Sequence, residues 1–410
     1  MKICIAGAGI GGLTAALSLH AAGFADVEVL EAVKDIREIG VGVNLPPHAV
    51  RELVELGLGD HLSQIGLPTA ELCYHDREGQ LIWAETRGLA AGYRWPQYSV
   101  HRGRLQQLLL SAVTDRLGPG AVRTGKRATG VTQQADGVSL SVVDTQTGSE
   151  EQVQADVLIG ADGIRSAVRT SLYGRPIPLA SNGWVMYRGA TPFKAFRGGH
   201  TMVIVGDEAQ RIVVYPIDDG TLNWLLVRPI PTDERPLAEL GNWNRRVDPS
   251  VIAAHVADWS FDWLDIPELV SSTAVAYEYP MADIDPLPKW SFGRVTLLGD
   301  AAHAMYPFGS NGASQAILDA RVLAYELARH ADPVEGLRTY ETARREQVAK
   351  VQLANRQQAG DVMARVGALS RSQAHGAAME ELKAVEQRYK SLAGFDVATL
   401  NERPSWTVSP

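Results

Sequence analysis

The chain has little cysteine, few aromatic residues and no long apolar run, and each shortage removes a class of protein. Two cysteines, Cys4 and Cys73, occur in 410 residues. One disulfide is the most they allow, so a disulfide framework is excluded. No run of about 18 uninterrupted apolar residues appears, which argues against a membrane-spanning helix. Met1-Lys2 and the apolar residues after them begin like a secretory signal. However, Gly7, Gly9, Gly11 and Gly12 interrupt the stretch where a signal needs continuous apolar sequence. Basic residues are also in the minority, 39 Lys and Arg against 47 Asp and Glu, for a formal net charge of −8. Neutralising phosphates needs the opposite balance, so no nucleic-acid partner is expected. What is present is the mixture of a folded protein, 45% hydrophobic and 21% charged. At roughly 100–200 residues per domain, the length implies two or three units. The expectation is a cytoplasmic, multi-domain protein with no membrane partner.

The N-terminus reads as a βαβ unit. Lys2–Ala6 is a short apolar strand, Leu13 to Ala22 suits a buried helix that Gly23 ends, and Val27–Leu30 is the next strand. Helical patterns return at Ala49–Glu55 and Arg102–Leu117. Alternating segments with turn signals fill Glu71–Trp83 and Val122–Val143. From Gly183 to Val227, short β-rich runs are separated by Gly, Asp and Pro, the pattern of an antiparallel sheet. Arg294–Leu298 restores the buried-strand pattern. Helix-forming sequence dominates from Ala313 to about Val366, and the last forty residues, with Ser370-Arg371-Ser372 and Arg403-Pro404-Ser405, read as looser.

Gly7-Ala8-Gly9-Ile10-Gly11-Gly12 fits the G-x-G-x-x-G spacing, with a strand before it and a helix after it. Gly7 permits the tight turn, Gly9 lets backbone approach a pyrophosphate, and Gly12 lets helix and strand pack closely. The helix N-terminus then offers free N–H groups and partial positive charge to the phosphates. Glu31 ends the second strand, where a carboxylate accepts bonds from ribose hydroxyls and repels a 2′-phosphate. FAD or NAD therefore fits this site better than NADP.

Two further strands run into a glycine-flanked aspartate. Val157–Gly160 leads into Ala161-Asp162-Gly163, and Leu297-Leu298 into Gly299-Asp300-Ala301-Ala302-His303. Each puts a carboxylate at the carboxyl end of a parallel strand, where open α/β sheets bind ligands. Pro307-Phe308-Gly309-Ser310-Asn311-Gly312-Ala313-Ser314 then opens a helix whose N-terminal amides suit negative charge on a ring.

In this order the three signatures resemble those of the FAD-dependent aromatic hydroxylases, the single-component flavoprotein monooxygenases of the p-hydroxybenzoate hydroxylase family. The resemblance covers about residues 1 to 350. Tyr98–Gln106 and Met305–Gln315 look closest to the members that act on a phenazine carboxylate, with salicylate and 3-hydroxybenzoate hydroxylases more distant. The resemblance implies an α/β fold in which a Rossmann-like FAD-binding domain (residues 1–68, 99–176 and 284–365) is interleaved with an antiparallel β-sheet substrate domain (69–98 and 177–283). C-terminal helices or extended chain follow over 366–410.

The resemblance also implies a cofactor site. The Gly7–Gly12 turn, with Gly7, Gly9, Ile10, Gly11 and Gly12, would take the pyrophosphate, and Glu31 with Ala32 the adenosine ribose. Arg102 would reach the FAD backbone, Ala128 would pass beside the adenine, and Asp162 and Gly163 would join the site. Asp300 would bind the ribitol. Pro307, Gly309, Gly312 and Ala313 would lie at the flavin, and Gly40-Val41-Gly42 would line the loop along which the isoalloxazine swings. NADH or NADPH would reduce FAD, O₂ would add to form a C4a-hydroperoxide, and one oxygen would pass to a small aromatic substrate. No metal and no catalytic side chain is implied.

For the substrate the sheet offers Tyr187, Arg188, Met202 and Tyr215, with Pro307 from the flavin side; Arg188 would pair with a carboxylate. His303 reads as packing or capping near the flavin loop. Arg344-Arg345 reads as a solvated helix face, and Trp243, Trp259 and Trp263 as core or lid. Two other readings of the residues remain: a reductase or epoxidase of the same fold, and a flavin-binding protein without catalysis. Oligomeric state is not legible.

Overall fold

Lys2–Ala6 has apolar residues on both faces, which suits a strand covered from both sides, and it lies at the centre of a mostly parallel sheet. The computed structural model describes residues 1–38, 40–230, 245–357 and 375–408. Trp243, Ser370-Arg371-Ser372 and the boundary expected at 365–366 lie outside the described residues. Among these residues the central sheet runs Ser291–Phe292, Val295–Leu297, Val157–Gly160, Lys2–Ala6, Asp26–Leu30, Val122–Arg123. All its pairings are parallel except the edge pair formed by the first two strands. Ile3 pairs with Val157 and Leu158 with Val295. The three strands that carry the glycine motifs are therefore immediate neighbours.

The helix Ile10–Ala21 is apolar on nearly every side, and its residues from Leu13 to Leu19 are all buried. It packs against Gly312–Arg329, which is itself followed by the long helix Pro333–Gln357. Close approach is possible because Gly11 presents no side chain: a Cβ there would lie 3.1 Å from the Ala316 Cβ.

A second sheet roofs this layer. Its order is Arg245–Val247, Ala276–Asp283, Ala180–Pro192, Thr221–Pro229, Arg211–Asp218, Thr201–Gly206, Glu71–His75, Leu81–Thr86. One pairing departs from the antiparallel expectation: Thr201–Gly206 runs parallel to Glu71–His75. Parallel neighbours need a long crossover, and here it is supplied by everything between the two passes of the chain.

Period-2 alternation gives the roof two different faces. Val185, Tyr187, Val203, Val205, Ile212, Val214, Trp224 and Leu226 belong to a buried cluster with Ile252, Trp259 and Leu269. Met186, Arg188, Met202, Ile204, Arg211, Val213 and Tyr215 line a cavity instead. At about 1.5–3 kcal/mol per fully buried large apolar side chain, the first face anchors the roof.

The described part of the C-terminal segment contains the expected helices rather than loose chain. His375–Leu392 and Val397–Glu402 are helices. The first is tied to the roof where Glu386 accepts from Tyr74 (3.0 Å) and Arg87 (3.2 Å) and where Lys390 pairs with Glu85. It reaches the lower layer where Asn311 donates to Tyr389 at 3.0 Å. Cys4 and Cys73 are both buried and free. No helix among the described residues is long and apolar enough to cross a membrane.

Candidate active site

Because the three motif strands are adjacent and parallel, their carboxyl ends open side by side. A cavity of about 440 Å³ lies there, between the central sheet and the roof. Its lower wall holds Gly9, Ile10 and Gly11 from the first motif, Ala161 and Gly163 from the second, and Leu298, Gly299 and Asp300 from the third. Pro307, Gly309, Gly312 and Ala313 continue it, and Val41, Gly42 and Arg102 close one side.

The glycines at this wall divide into two kinds. At Gly7, φ is +110° and a Cβ would lie 2.3 Å from the Ala161 carbonyl oxygen; at Gly12 it would lie 1.9 Å from that of Gly7. Those positions are glycine because protein fills the space. At Gly9, Gly163 and Gly312 a Cβ would meet no protein atom within 4 Å. All three face the cavity, so what their missing side chains leave room for is not protein.

Two helix N-termini open at the same wall. Ile10–Ala21 has Gly9 as N-cap, with no side-chain cap and no acid in its first turn. Gly312–Arg329 likewise has no side-chain cap and no acid there. Uncapped amides and the positive end of the helix dipole at both places suit phosphate at one and an electron-rich ring at the other. The donor set fits a dinucleotide flavin. Among the described residues, no group of three or more His, Cys, Asp or Glu is placed to hold a metal.

Other expected cofactor residues stand behind the wall. Glu31 accepts from the Ala8 amide at 2.8 Å and from Val33 at 3.0 Å, bracing the glycine turn. The Ala32 carbonyl accepts from Thr145 at 3.2 Å. Ala128 lies on Lys126–Gln133, a strand that begins beside Glu31, since the Lys126 amide donates to the Glu31 carbonyl at 2.7 Å. Gly40, with φ of +131°, packs against Arg102. Asp162 is directed elsewhere: it accepts from Ser166 Oγ (2.5 Å), Ala167 N (2.7 Å) and Val168 N (3.1 Å), capping the helix Ala167–Tyr173. Burial pushes its carboxyl above the usual range. A glycine-flanked aspartate just before a helix is drawn to those free amides first, so Ala161 and Gly163, not Asp162, line the cavity.

Roof register sorts the substrate candidates. Arg188, Met202 and Tyr215 line the cavity together with Pro307. Tyr187 does not. It is one residue out of phase with Arg188 on the same strand and points into the opposite core, its ring stacked 6.2 Å from His255. Arg188 is 6% exposed; burial, then Arg102, pushes its pKa down to about 10. The loop Gly40-Val41-Gly42 is pinned to the roof, where the Gly42 amide donates to Asn223 Oδ1 at 2.6 Å and a Cβ would strike Tyr215 at 2.7 Å.

Sequence reading missed Arg211, a lining residue on Arg211–Asp218. Its signal was a lone cation at an inward position of an otherwise apolar strand, Arg-Ile-Val-Val-Tyr. It also missed Tyr74, Arg87, Leu382, Glu386 and Tyr389, which line the cavity from remote segments. A brace beneath the wall was missed as well. Asp319 Oδ2 contacts His303 Nε2 at 2.5 Å and accepts from the Gly299 amide at 3.0 Å, while its Oδ1 accepts from Arg344 Nε at 2.9 Å. Arg344 is thus buried, not on a solvated face, because an unpaired Asp319 at that depth would be costly.

A family model described as FAD binding domain matches residues 1–354, and the chain belongs to that family. It is 44% identical over 363 residues to phenazine 1,6-dicarboxylic acid hydroxylase PhzS of Lysobacter antibioticus, covering 86% of this chain and 89% of the relative. Over 375 residues it is 33% identical to 3-hydroxybenzoate 6-hydroxylase 1 of Aquipseudomonas alcaligenes, covering 87% and 88%. Among solved structures it resembles Klebsiella pneumoniae HpxO complexed with FAD and uric acid, with a TM-score of 0.78, 26% identity and 96% of each chain covered. The resemblance read from the three motifs is borne out, and so is the mixed α/β fold.

Proposed function

We propose that the chain is an FAD-dependent monooxygenase that uses NADH or NADPH and O₂ to hydroxylate a small aromatic or heteroaromatic carboxylic acid. One observation carries this reading: two uncapped helix N-termini and three open glycines share a cavity with an apolar roof that bears buried arginines. FAD, when bound, supplies the activation of O₂ and the transfer of one oxygen atom; the protein supplies placement and electrostatics.

Each wall has a task. The amides at Gly9–Gly11 hold the pyrophosphate, and the carboxylate of Asp300 accepts from the ribityl hydroxyls. The amides at Gly312 and Ala313 favour negative charge where they face the ring. Met186, Val213, Leu225 and Val227 present an apolar surface to the aromatic substrate and exclude water, which would otherwise divert the reactive oxygen. Arg188 holds the substrate carboxylate and so sets which ring carbon faces the flavin. We read residues 1–68, 99–176 and 284–365 as the cofactor part, and 69–98 with 177–283 as the substrate part.

The test is to follow NADH and NADPH oxidation by the purified protein with benzoate-like and fused-ring aromatic acids. Oxidation stimulated by the acid, matched by O₂ uptake and a hydroxylated product, is the expected outcome. Anaerobic reduction of the substrate, or a yellow protein that oxidises neither nucleotide, contradicts the proposal.

A further inference from the structure

The roof carries a second cation that a single carboxylate does not explain. Arg211 is 3% exposed, and neither Nη1 nor Nη2 has a hydrogen-bond partner among the described residues. Its guanidinium is held between aromatic faces, 5.3 Å from the Trp184 ring centroid and 4.8 Å from that of Phe308. Contacts over ring faces attract the cation without using its N–H bonds. Among the described residues, Arg211 alone has both terminal nitrogens buried without a partner; elsewhere at most one nitrogen of a buried arginine is left bare, as at Arg169 Nε. Arg169 donates to the carbonyls of Ala301 and Ile164, Arg321 pairs with Glu52 and Glu55, and Arg344 pairs with Asp319 and Gln315. A charge buried with both terminal nitrogens bare is costly to keep unless something outside the protein completes it. Burial lowers its pKa only to about 10, so it is cationic at neutral pH.

Register gives the spacing to Arg188. Arg211 lies opposite Val227, which lies opposite Met186; Arg188 lies opposite Leu225, which lies opposite Val213. The two arginines are thus two strands and two residues apart on one face, roughly 12 Å between Cα atoms from strand spacing and rise. Val213, Leu225 and Val227 form an apolar strip of the roof between them. We propose that Arg211 is a second anion subsite, and that the chamber takes a planar aromatic dicarboxylate lying against this apolar strip with one carboxylate at Arg188 and the other at Arg211. This rests on the hydroxylase reading above and narrows its substrate class. The two bare terminal nitrogens of Arg211 match a carboxylate, and a monocarboxylate held at Arg188 would leave them uncompleted.

The probes are phenazine-1,6-dicarboxylate and phenazine-1-carboxylate, titrated into the FAD-loaded protein while the absorbance of the bound flavin is followed. The wild type is expected to bind the dicarboxylate at least tenfold more tightly, and Arg211→Gln to bring that ratio close to one. Arg211→Met, which removes the uncompleted charge at similar volume, is expected to raise the thermal midpoint of the ligand-free holoprotein while losing the preference. Should Arg211→Gln fail to hold FAD, Arg211→Lys keeps the charge without the planar pair, and an intermediate ratio is expected. A wild type that binds both probes equally, or variants that keep the wild-type ratio, overturns the second subsite and leaves the hydroxylase reading standing. If no aromatic acid with one carboxylate or two stimulates nucleotide oxidation, the hydroxylase reading fails, and the subsite with it.

Discussion

The floor and the roof of the cavity hold their ligands by different means. The floor works through backbone: amides at two helix N-termini, and glycines whose missing side chains leave open space. The roof works through side chains projected from one face of a sheet, apolar ones with two buried arginines among them. A backbone site tolerates little, because the turn, the helix start and the close approach are one geometry. A side-chain site can be rewritten residue by residue on an unchanged scaffold.

Substitutions can break that contrast or sharpen it. The largest effect is expected at Gly12→Val, whose side chain would be forced into the Gly7 carbonyl 1.9 Å away. Flavin should be lost and stability should fall by about 3 kcal/mol or more, the scale of severe overpacking, measurable by denaturant unfolding. Gly9→Val should separate the two properties. No protein atom lies within 4 Å of its Cβ position, so unfolding should be close to wild type while FAD affinity falls at least about tenfold, roughly 1.4 kcal/mol. Equal effects at the two glycines would break the distinction. On the roof, Arg188→Gln should weaken an aromatic acid by roughly 1.5–3 kcal/mol, the range for a charged hydrogen bond, with FAD affinity unchanged.

The next effect is one of pH. His48 is buried on Phe395 (ring centroids 4.4 Å apart) and bonded to Asn311 at 3.0 Å, and burial lowers its pKa from 6.5 to about 3. The unfolded chain therefore binds this proton first. The stability His48 contributes is complete above pH 6.5 and is lost at about 1.4 kcal/mol per unit as pH falls toward 3. His48→Gln should flatten that part of the stability profile; an unchanged slope would assign it to other groups. The smallest effect is expected at Tyr187→Phe, which should cost about 1 kcal/mol of stability and leave substrate affinity untouched. A shift in substrate affinity there would mean the face assignment is inverted.

The same contrast explains what was legible in the sequence. Gly7, Gly9, Gly12 and the strand before them sit within a dozen residues, so the floor's turn could be read locally. The Asp162 and Asp300 segments were readable as strand ends, but not the competition that draws the Asp162 carboxylate into a helix cap. The roof depends on phase. Tyr187 and Arg188 are adjacent, and only the register with Leu225 and Leu226 decides which one faces the cavity. Arg211 was visible as an odd cation but gains meaning only two strands away from Arg188. Leu382, Glu386 and Tyr389 come from a helix whose sequence carries no sign of its destination.

The most direct test of the whole account is the absorbance of flavin bound to this chain, titrated with an aromatic acid. One cavity floored by FAD and roofed by Arg188 and Arg211 predicts a saturable difference spectrum that reaches its end point at one acid per flavin. A chain that takes up no FAD, or a bound flavin whose spectrum no aromatic acid moves, contradicts it.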